Sequence, residues 1–351
     1  MSSSHFRGLI RSGCLRSLLG PVIGLSLSFL IGPQSAAQSG STPSESPLGL
    51  TKVPAGVILV KGAWPSASDS VTPVPESGKV ASGSYQSAYF GLTYPITNGW
   101  IQKYEGPPPS DSGYYVLAQL RPGGSLREPG GGTVLIGAQD MFFTLVPARS
   151  ALDLVNFAKT HLKADYVIDQ QPQEIRIAGH SFVRLDYTSP SAGLHWSLLA
   201  TQIRCHTVQF SFMSADPKVI EHLIESMNDM KLPLRAGVAS GPGGDDAPVC
   251  VSGYASGGNL LQRVEPVTGE RRYNSVPVRV IIGTDGKVKH IHFIRAFPEQ
   301  AKAISDALQQ WRFKPYLVNG KPAEVETGIS FGRVPRGTAV AQTVRQQPPQ
   351  N

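Results

Sequence analysis

Hydrophobic and polar residues alternate along VPVRVIIGTDGKVKHIHFIRAF, a stretch that begins at Val276. Val278 and Val280 repeat at every second position, which predicts a strand with one buried face. The Asp-Gly pair at 285–286 predicts a tight turn, because glycine accepts the positive φ that a hairpin needs. Phe293 continues the pattern on the return strand. The stretch therefore predicts a β-hairpin.

The period then changes to that of a helix. Pro298 is a favourable first helical residue, and Ile304, Leu308 and Trp311 recur at i, i+4 and i+7. These three side chains predict a buried stripe that ends in the tryptophan, with Pro315 stopping the helix. Together with the hairpin, they predict a small hydrophobic core.

A last strand is predicted after the Asn-Gly turn at 319–320. Val325, Thr327, Ile329 and Phe331 alternate with polar or small residues. A terminal strand of this kind is expected to lie at a sheet edge, where its unpaired N–H and C=O groups can pair with a partner peptide.

The middle of the chain, residues 85–234, also has a globular pattern. Several strand-like runs surround two helices: Ser150 and Asp153 form a capping-box pattern, and Asp216 precedes Pro217 at the start of the second helix. Strands, helix, strands and helix in this order predict an α+β domain with an antiparallel sheet.

Composition divides the 351 residues into two predicted domains and their joints. Residues 38–84 and 235–257 are rich in Ser, Pro and Gly and are predicted to be linkers. The domains are then residues 85–234 and 258–333, and residues 334–351 are predicted to be a disordered tail.

The C-terminal pattern resembles the C-terminal domain family of TonB, the energy-coupling protein of Gram-negative envelopes. The resemblance rests on the strand, the DG turn, the helix running into WRFKP, the NGKP turn and the last strand, over residues 258–333. It implies a ββαβ module in which Val278, Val280, Phe293, Ile304, Leu308 and Trp311 form the core. It also implies that the edge strand binds a segment of an outer-membrane transporter. The chain departs from the family's transducers in its additional domain and its leader-like N-terminus.

The domain at residues 85–234 resembles the PsbP-like fold. The resemblance rests on FGLTYPITNGW followed by the order of elements described above. It implies an α+β fold, and it implies little about function, since that fold carries binding roles rather than one chemistry.

The N-terminus has the three parts of a secretory signal peptide. Arg7, Arg11 and Arg16 precede a short apolar run at residues 18–32, and small residues follow at Ser35 and Ala37. Cleavage after Ala37 would give an exported, periplasmic protein; the alternative is an uncleaved segment that anchors the chain in the inner membrane. Without residues 1–37 the formal charge falls from +7 to +4, with no basic cluster for nucleic acid.

Export leaves two cysteines, Cys205 and Cys250, because Cys14 lies in the leader. An even pair in an oxidising compartment predicts a disulfide, and two unpaired thiols are the alternative.

No catalytic motif or cofactor site is found in the sequence. His290 and His292 share one face of a strand as a metal pair would, but without a third ligand nearby they are expected to be exposed strand histidines. G-x-S-x-G, H-E-x-x-H, P-loop and dinucleotide-binding patterns are absent. We therefore expect a non-enzymatic protein with no cofactor and no metal.

Two functions are consistent with these patterns. The first is an envelope protein whose C-terminal module binds a protein partner by strand addition, in TonB-dependent transport. The second is a periplasmic carrier or sensor of a small molecule or lipid, whose site in the PsbP-like domain would be lined by Trp100 and Trp196. Those two residues in one pocket would favour the carrier, whereas a filled core and an open C-terminal edge would favour protein binding.

Overall fold

The computed structural model describes residues 64–69, 74–103, 110, 112–123, 130–143, 149–232, 248–267 and 275–332. These ranges belong to one compact unit, Ser44–Asn351. The leader, the tail at 334–351 and most of the first linker lie outside the described residues. No helix in the described ranges is both long enough and apolar enough to cross a bilayer.

Nineteen strands and three α-helices are present in the described ranges. In the first half of the chain they are β1 (Trp64–Ser68), β2 (Lys79–Ala81), β3 (Ser84–Ser87), β4 (Leu92–Pro95), β5 (Trp100–Gln102), β6 (Tyr114–Pro122), β7 (Thr133–Asp140), α1 (Ala151–Thr160), β8 (Val167–Ile177), β9 (His180–Ser189), β10 (Leu194–Ile203), β11 (His206–Ser214) and α2 (Pro217–Ser226). In the second half they are β12 (Val249–Cys250), β13 (Leu260–Gln262), β14 (Val276–Ile282), β15 (Val288–Ala296), α3 (Pro298–Leu308), β16 (Arg312–Phe313), β17 (Tyr316–Val318), β18 (Lys321–Ala323) and β19 (Val325–Phe331). This sheet-rich architecture with few helices agrees with the α+β class.

Two large sheets dominate the architecture. The first has seven antiparallel strands in the order β5-β6-β7-β11-β10-β9-β8. The second has five strands in the order β1-β15-β14-β19-β12, all antiparallel to their neighbours except β12, which runs parallel to β19. Three smaller sheets pair β2-β3-β4, β13-β16 and β17-β18.

Each large sheet has its own hydrophobic core. The first core is centred on Tyr85, Tyr94, Phe182 and Phe210 and receives α2 through Ile220. The helix begins where the sequence predicts, since the Asp216 carboxylate accepts a hydrogen bond from the N–H of Lys218. Ser150 caps α1 in the same way, by accepting from the N–H of Asp153.

The second core lies between the five-stranded sheet and α3. It contains Val278, Val280, Phe293, Ile304, Leu308 and Trp311, the six residues assigned to it from the sequence. The prediction that α3 runs to Trp311 is wrong: the helix ends at Leu308, and Arg312–Phe313 form β16, which pairs with β13. Trp311 therefore packs into this core from the segment that follows the helix.

The turn between β14 and β15 requires a glycine. Gly286 has φ of 75°, and a Cβ atom there would lie 2.1 Å from the carbonyl oxygen of Phe313. The N–H of Phe313 donates to the carbonyl of Gly286 at 2.8 Å, so this close approach fastens β16 to the hairpin.

Both predicted linkers contain strands. The first includes β2 and β1, and β1 pairs with β15 of the five-stranded sheet, with Trp64 opposite Ala296. The second includes β12, where Val249 and Cys250 pair with Val325 and Glu326. Their composition gives no periodic pattern, because β12 has two residues and β1 reads WPSAS.

Candidate functional site

The five-stranded sheet has one face directed to α3. On β19 this face carries Val325, Thr327, Ile329 and Phe331, the residues predicted to form the edge. Val325 and Thr327 are fully buried, and Phe331 is 8 % exposed. These side chains therefore serve the core, and only the backbone of β19 is available for pairing with a partner.

The position of β19 in its sheet differs from the expected full edge. β14 covers one side of the strand along its whole length, and β12 covers the first two residues on the other side. The N–H groups of Val249 and Val251 donate to the carbonyls of Glu324 and Glu326, at 2.8 and 3.0 Å. The outward carbonyls belong to Glu324 and Glu326, and backbone groups alternate sides along a strand, so those of Val325, Thr327, Ile329 and Phe331 face β14. The prediction that these four residues offer the open backbone groups is thus incorrect.

Beyond β12 the outer side of β19 continues without a paired strand in the described ranges. Because backbone groups two residues apart point to the same side of a strand, Gly328 and Ser330 continue the outward row that Glu324 and Glu326 begin. A Cβ atom at Gly328 would lie 2.8 Å from the ring of Phe143, so that ring covers the strand on one face. We call the outward N–H and C=O groups of Gly328 and Ser330 the open row.

The opposite face of the five-stranded sheet carries charge. The Nε of Arg279 on β14 donates to Asp140 at 2.9 Å, and its Nη2 contacts the same carboxylate. The carboxylate of Glu326 lies 3.9 Å from the Nε of Arg279 and accepts a hydrogen bond from the Nε of Arg204 at 3.0 Å. Asp140 also accepts hydrogen bonds from the N–H groups of Phe142 and Phe143. We call these four side chains, from Arg279, Asp140, Glu326 and Arg204, the charge cluster.

The charge cluster is buried and electrically balanced. Arg279 is 1 % exposed, and Asp140 and Glu326 are fully buried. Burial opposes the charge of Arg279, but the carboxylates of Asp140 and Glu326 outweigh it and raise the pKa of the guanidinium above its ordinary value. Each large sheet contributes one cation and one anion: Arg279 pairs with Asp140, and Glu326 pairs with Arg204.

Two buried histidines border the charge cluster. His206 on β11 and His292 on β15 alternate with Tyr89 and Tyr115, with neighbouring ring centroids 5.5 to 6.2 Å apart. Burial, followed by the nearby Arg279 and Arg204, lowers the pKa of His292 to about 3 and that of His206 well below its ordinary value. Both rings are therefore neutral at pH 7.

The expectation of exposed strand histidines is wrong for His292, which is 3 % exposed. Its Nε2 lies 3.1 Å from the hydroxyl of Ser66, and that hydroxyl donates to Glu76 at 2.8 Å. His290, two residues earlier on β15, is half-buried beside Asp69. Within the described part of the chain, no group of three His, Cys, Asp or Glu residues is placed to hold a metal ion.

Cys205 and Cys250 form a disulfide in the structure, with their Cα atoms 5.1 Å apart. Cys205 is fully buried in the turn between β10 and β11 of the first sheet, and Cys250 lies on β12 of the second. The N–H of Cys205 donates to the carboxylate of Glu326 at 3.2 Å. The disulfide therefore joins the two sheets beside the charge cluster.

Trp100 and Trp196 do not share a site. Trp100 lies on β5 at one edge of the seven-stranded sheet, and β6, β7 and β11 separate it from β10, which carries Trp196. Trp196 stacks on Tyr187 with centroids 5.6 Å apart, and Trp100 packs near Gly132. The pocket expected for a ligand carrier is not assembled from these two residues.

Sequence reasoning missed the charge cluster. One signal was available: Arg279 lies in VPVRVII, where its neighbours on both sides are apolar. A charged residue in the middle of such a strand is either exposed or paired in the interior. Its partners could not be found in the same way, because Asp140 and Glu326 come from distant segments.

The comparisons with known proteins do not identify a family for this chain. No family model matches the chain, and no curated protein matches it. The solution structure of cyanobacterial PsbP (CyanoP) from Synechocystis sp. PCC 6803 is similar to 44 % of this chain and 96 % of its own, with 16 % identity and a TM-score of 0.29. This is a weak and partial likeness.

Proposed function

We propose that this chain is an exported, non-enzymatic envelope protein whose C-terminal module binds an extended segment of a protein partner by strand addition. The observation that carries the proposal is the open row on β19, to which no strand pairs beyond Cys250 in the described ranges. Unpaired backbone groups on a strand are a template for another strand.

The strand that carries the open row is paired with β14 along its whole length, which favours binding. Gly328 lies opposite Arg279, and Ser330 lies opposite Pro277, so β14 fixes β19 in position. The two residues of the open row together offer two N–H donors and two C=O acceptors. A partner strand could therefore make up to about four backbone hydrogen bonds, each contributing about 0.5–1.5 kcal/mol.

The nature of the partner follows from the resemblance of residues 258–333 to the TonB C-terminal family. In that family the partner is a segment of an outer-membrane transporter, and we propose the same class here, in TonB-dependent transport across the envelope. The PsbP-like domain at residues 85–234 would then be an accessory part of the same envelope protein.

Ser330→Pro tests the proposal. Proline removes the outward N–H, and the pairing of β19 with β14 is preserved because the Ser330 N–H points away from β14. Ser330→Ala is the matched control, since it also removes the side-chain contact with Ser275 but keeps the N–H. Tagged full-length variants would be used to capture partners from envelope extract, and each captured protein would then be titrated against the purified variants.

We expect a partner that binds the wild type and Ser330→Ala equally and binds Ser330→Pro at least 10-fold more weakly. The three proteins should unfold at similar urea concentrations. If every captured partner binds Ser330→Pro as well as the wild type, strand addition at this edge is ruled out.

Export is tested separately. Cleavage after Ala37 would give a mature N-terminus at Gln38, which N-terminal sequencing of protein isolated from the envelope detects. A mature chain that still begins at Met1 would favour the membrane-anchored alternative.

A further inference from the structure

The outward row of β19 is longer than the open row, because β12 occupies its beginning. The carbonyls of Glu324 and Glu326 accept from the N–H groups of Val249 and Val251, and these are parts of the same row as Gly328 and Ser330. Half of the row is therefore covered by a strand of this same chain.

A strand as short as β12 needs an additional attachment to stay paired with β19. It comprises Val249 and Cys250, both only partly buried. The disulfide provides this attachment, since it joins Cys250 to Cys205, which is fully buried and hydrogen-bonded to Glu326. After Val251 the chain is held independently, because Tyr254 is buried and its hydroxyl donates to the carbonyl of Lys314 at 2.5 Å.

Gly253 lies between these two attachments and has φ of 70°. If the disulfide were opened, the segment before Gly253 could leave β19 while Tyr254 stayed in the core. Release would then be confined to β12 and would not require the sheet to unfold.

We propose that the Cys205–Cys250 disulfide is a redox gate on the edge of β19. When oxidised, it keeps β12 on the first half of the row; when reduced, it releases β12 and offers the full row to a partner strand. This inference rests on the proposed function, and it specifies how the same site is regulated.

The reaction is a thiol–disulfide exchange with a dithiol reductant. A thiolate of the reductant attacks the sulfur of Cys250, which is the less buried of the two, and forms a mixed disulfide with it. The bond to Cys205 breaks, and Cys205 leaves as a thiolate that takes up a proton. The second thiol of the reductant then displaces Cys250 as a thiol, so that two electrons pass from the dithiol to the protein and the reductant becomes a disulfide.

Hydrogen exchange on the full-length protein tests the gate without a partner. With dithiothreitol as the reductant, we expect the amides of Val249 and Val251 to exchange at least 10-fold faster than in the oxidised protein. The amides of Phe210 and Val278, in central strands of the two sheets, should exchange at unchanged rates. Cys205→Ser should reproduce the reduced state in the absence of reductant.

A partner that needs the open row provides the second measurement. It should bind the reduced protein and Cys205→Ser at least 10-fold more tightly than the oxidised wild type. If reduction leaves Val249 and Val251 protected, or leaves the affinity of such a partner unchanged, the gate is refuted while strand addition stands. If β12 is released but no partner is sensitive to Ser330→Pro, the proposed function fails and the redox-dependent release remains.

Discussion

The five-stranded sheet has two buried faces, and they differ in what fills them. Val278 and Val280 of β14 point to an apolar core with α3, whereas Arg279 between them points to Asp140 and Glu326. Each well-packed contact on the apolar face stabilises the folded state, in proportion to the apolar area removed from water. On the charged face the folded state is stable only while each ion keeps its partner, since an unpaired buried charge is strongly destabilising.

The two faces therefore hold the molecule together in different ways. Loss of a side chain from the apolar face leaves a cavity whose cost depends on how far the neighbours can relax. Loss of a charge from the other face leaves its partner without compensation, a cost that packing cannot reduce. The following substitutions compare the two, from the largest expected effect to the smallest.

Trp311→Ala should give the largest loss on the apolar face. The indole is 2 % exposed, and its N–H donates to the carbonyl of Val264 at 2.8 Å. We expect the free energy of unfolding to fall by about 3–5 kcal/mol, in the upper part of that range because the Val264 carbonyl also loses its donor. Urea denaturation of the full-length protein measures it, with the exposed Leu317→Ala as the control. An equal midpoint for wild type and Trp311→Ala would contradict the packing described above.

Arg279→Met removes a charge from the opposite face at a similar volume. We expect a loss of about 3 kcal/mol, at the lower end of the range for breaking a buried pair, because Arg204 still compensates Glu326. Lys302→Met breaks an exposed pair with Asp306 and should change the urea midpoint far less. A combined Arg279→Met and Asp140→Asn variant should regain part of the loss, because no uncompensated carboxylate remains at position 140. If the double variant is less stable than Arg279→Met alone, uncompensated charge is not the cause.

The dependence of stability on pH sharpens the comparison, because only the charged face contains buried histidines. The pKa of His292 is about 3 in the folded chain, and an unfolded histidine titrates near 6.5. Below pH 6.5 the unfolded chain therefore binds protons that the folded chain does not, and the free energy of unfolding falls as the pH falls toward 3. His292 should contribute a slope of about 1.4 kcal/mol per pH unit within this window, and His206, whose pKa is also lowered, should add a slope of the same sign.

His292→Gln should reduce that slope by about one histidine's contribution, as measured by urea denaturation between pH 4 and pH 7. Glutamine can still hydrogen-bond to Ser66, so the loss of the titrating group is separated from the loss of the contact. His290→Gln on the same strand is the control variant. An equal change of slope in the two variants would show that burial at position 292 is not responsible.

The two faces also differ in how well they could be predicted from the sequence. Alternation at Val278 and Val280, the stripe from Ile304 to Leu308, and the Asp-Gly turn are local signals, and each lies where the sequence places it. Alternation shows that the face opposite Val278 and Val280 is polar, but it does not show whether water or another sheet covers that face. Alternation alone therefore places His292 at the surface and does not connect Asp140 with Arg279.

The end of α3 and the two linker strands were missed for related physical reasons. Trp311 keeps the helical spacing although the chain has already left the helix, because the side chain still reaches the same core. β1 and β12 gain their hydrogen bonds from distant strands, so neither requires a periodic pattern of its own. Residues 258–333, the predicted C-terminal module, thus contain only three of the five strands of this sheet.

The pairing of β1 with β15 has a consequence for the order in which the chain can fold. Ser68 and Ile291 are hydrogen-bonded although 223 positions separate them in the chain. During synthesis β1 is made long before β15, and it cannot pair with β15 until most of the chain has been synthesised. Contacts between such distant residues slow folding, because the entropy of closing the loop is lost before the pairing is gained. The five-stranded sheet is therefore completed only when both ends of the described chain are present, and a shortened chain that begins after Ser68 would have β15 as an edge strand without β1.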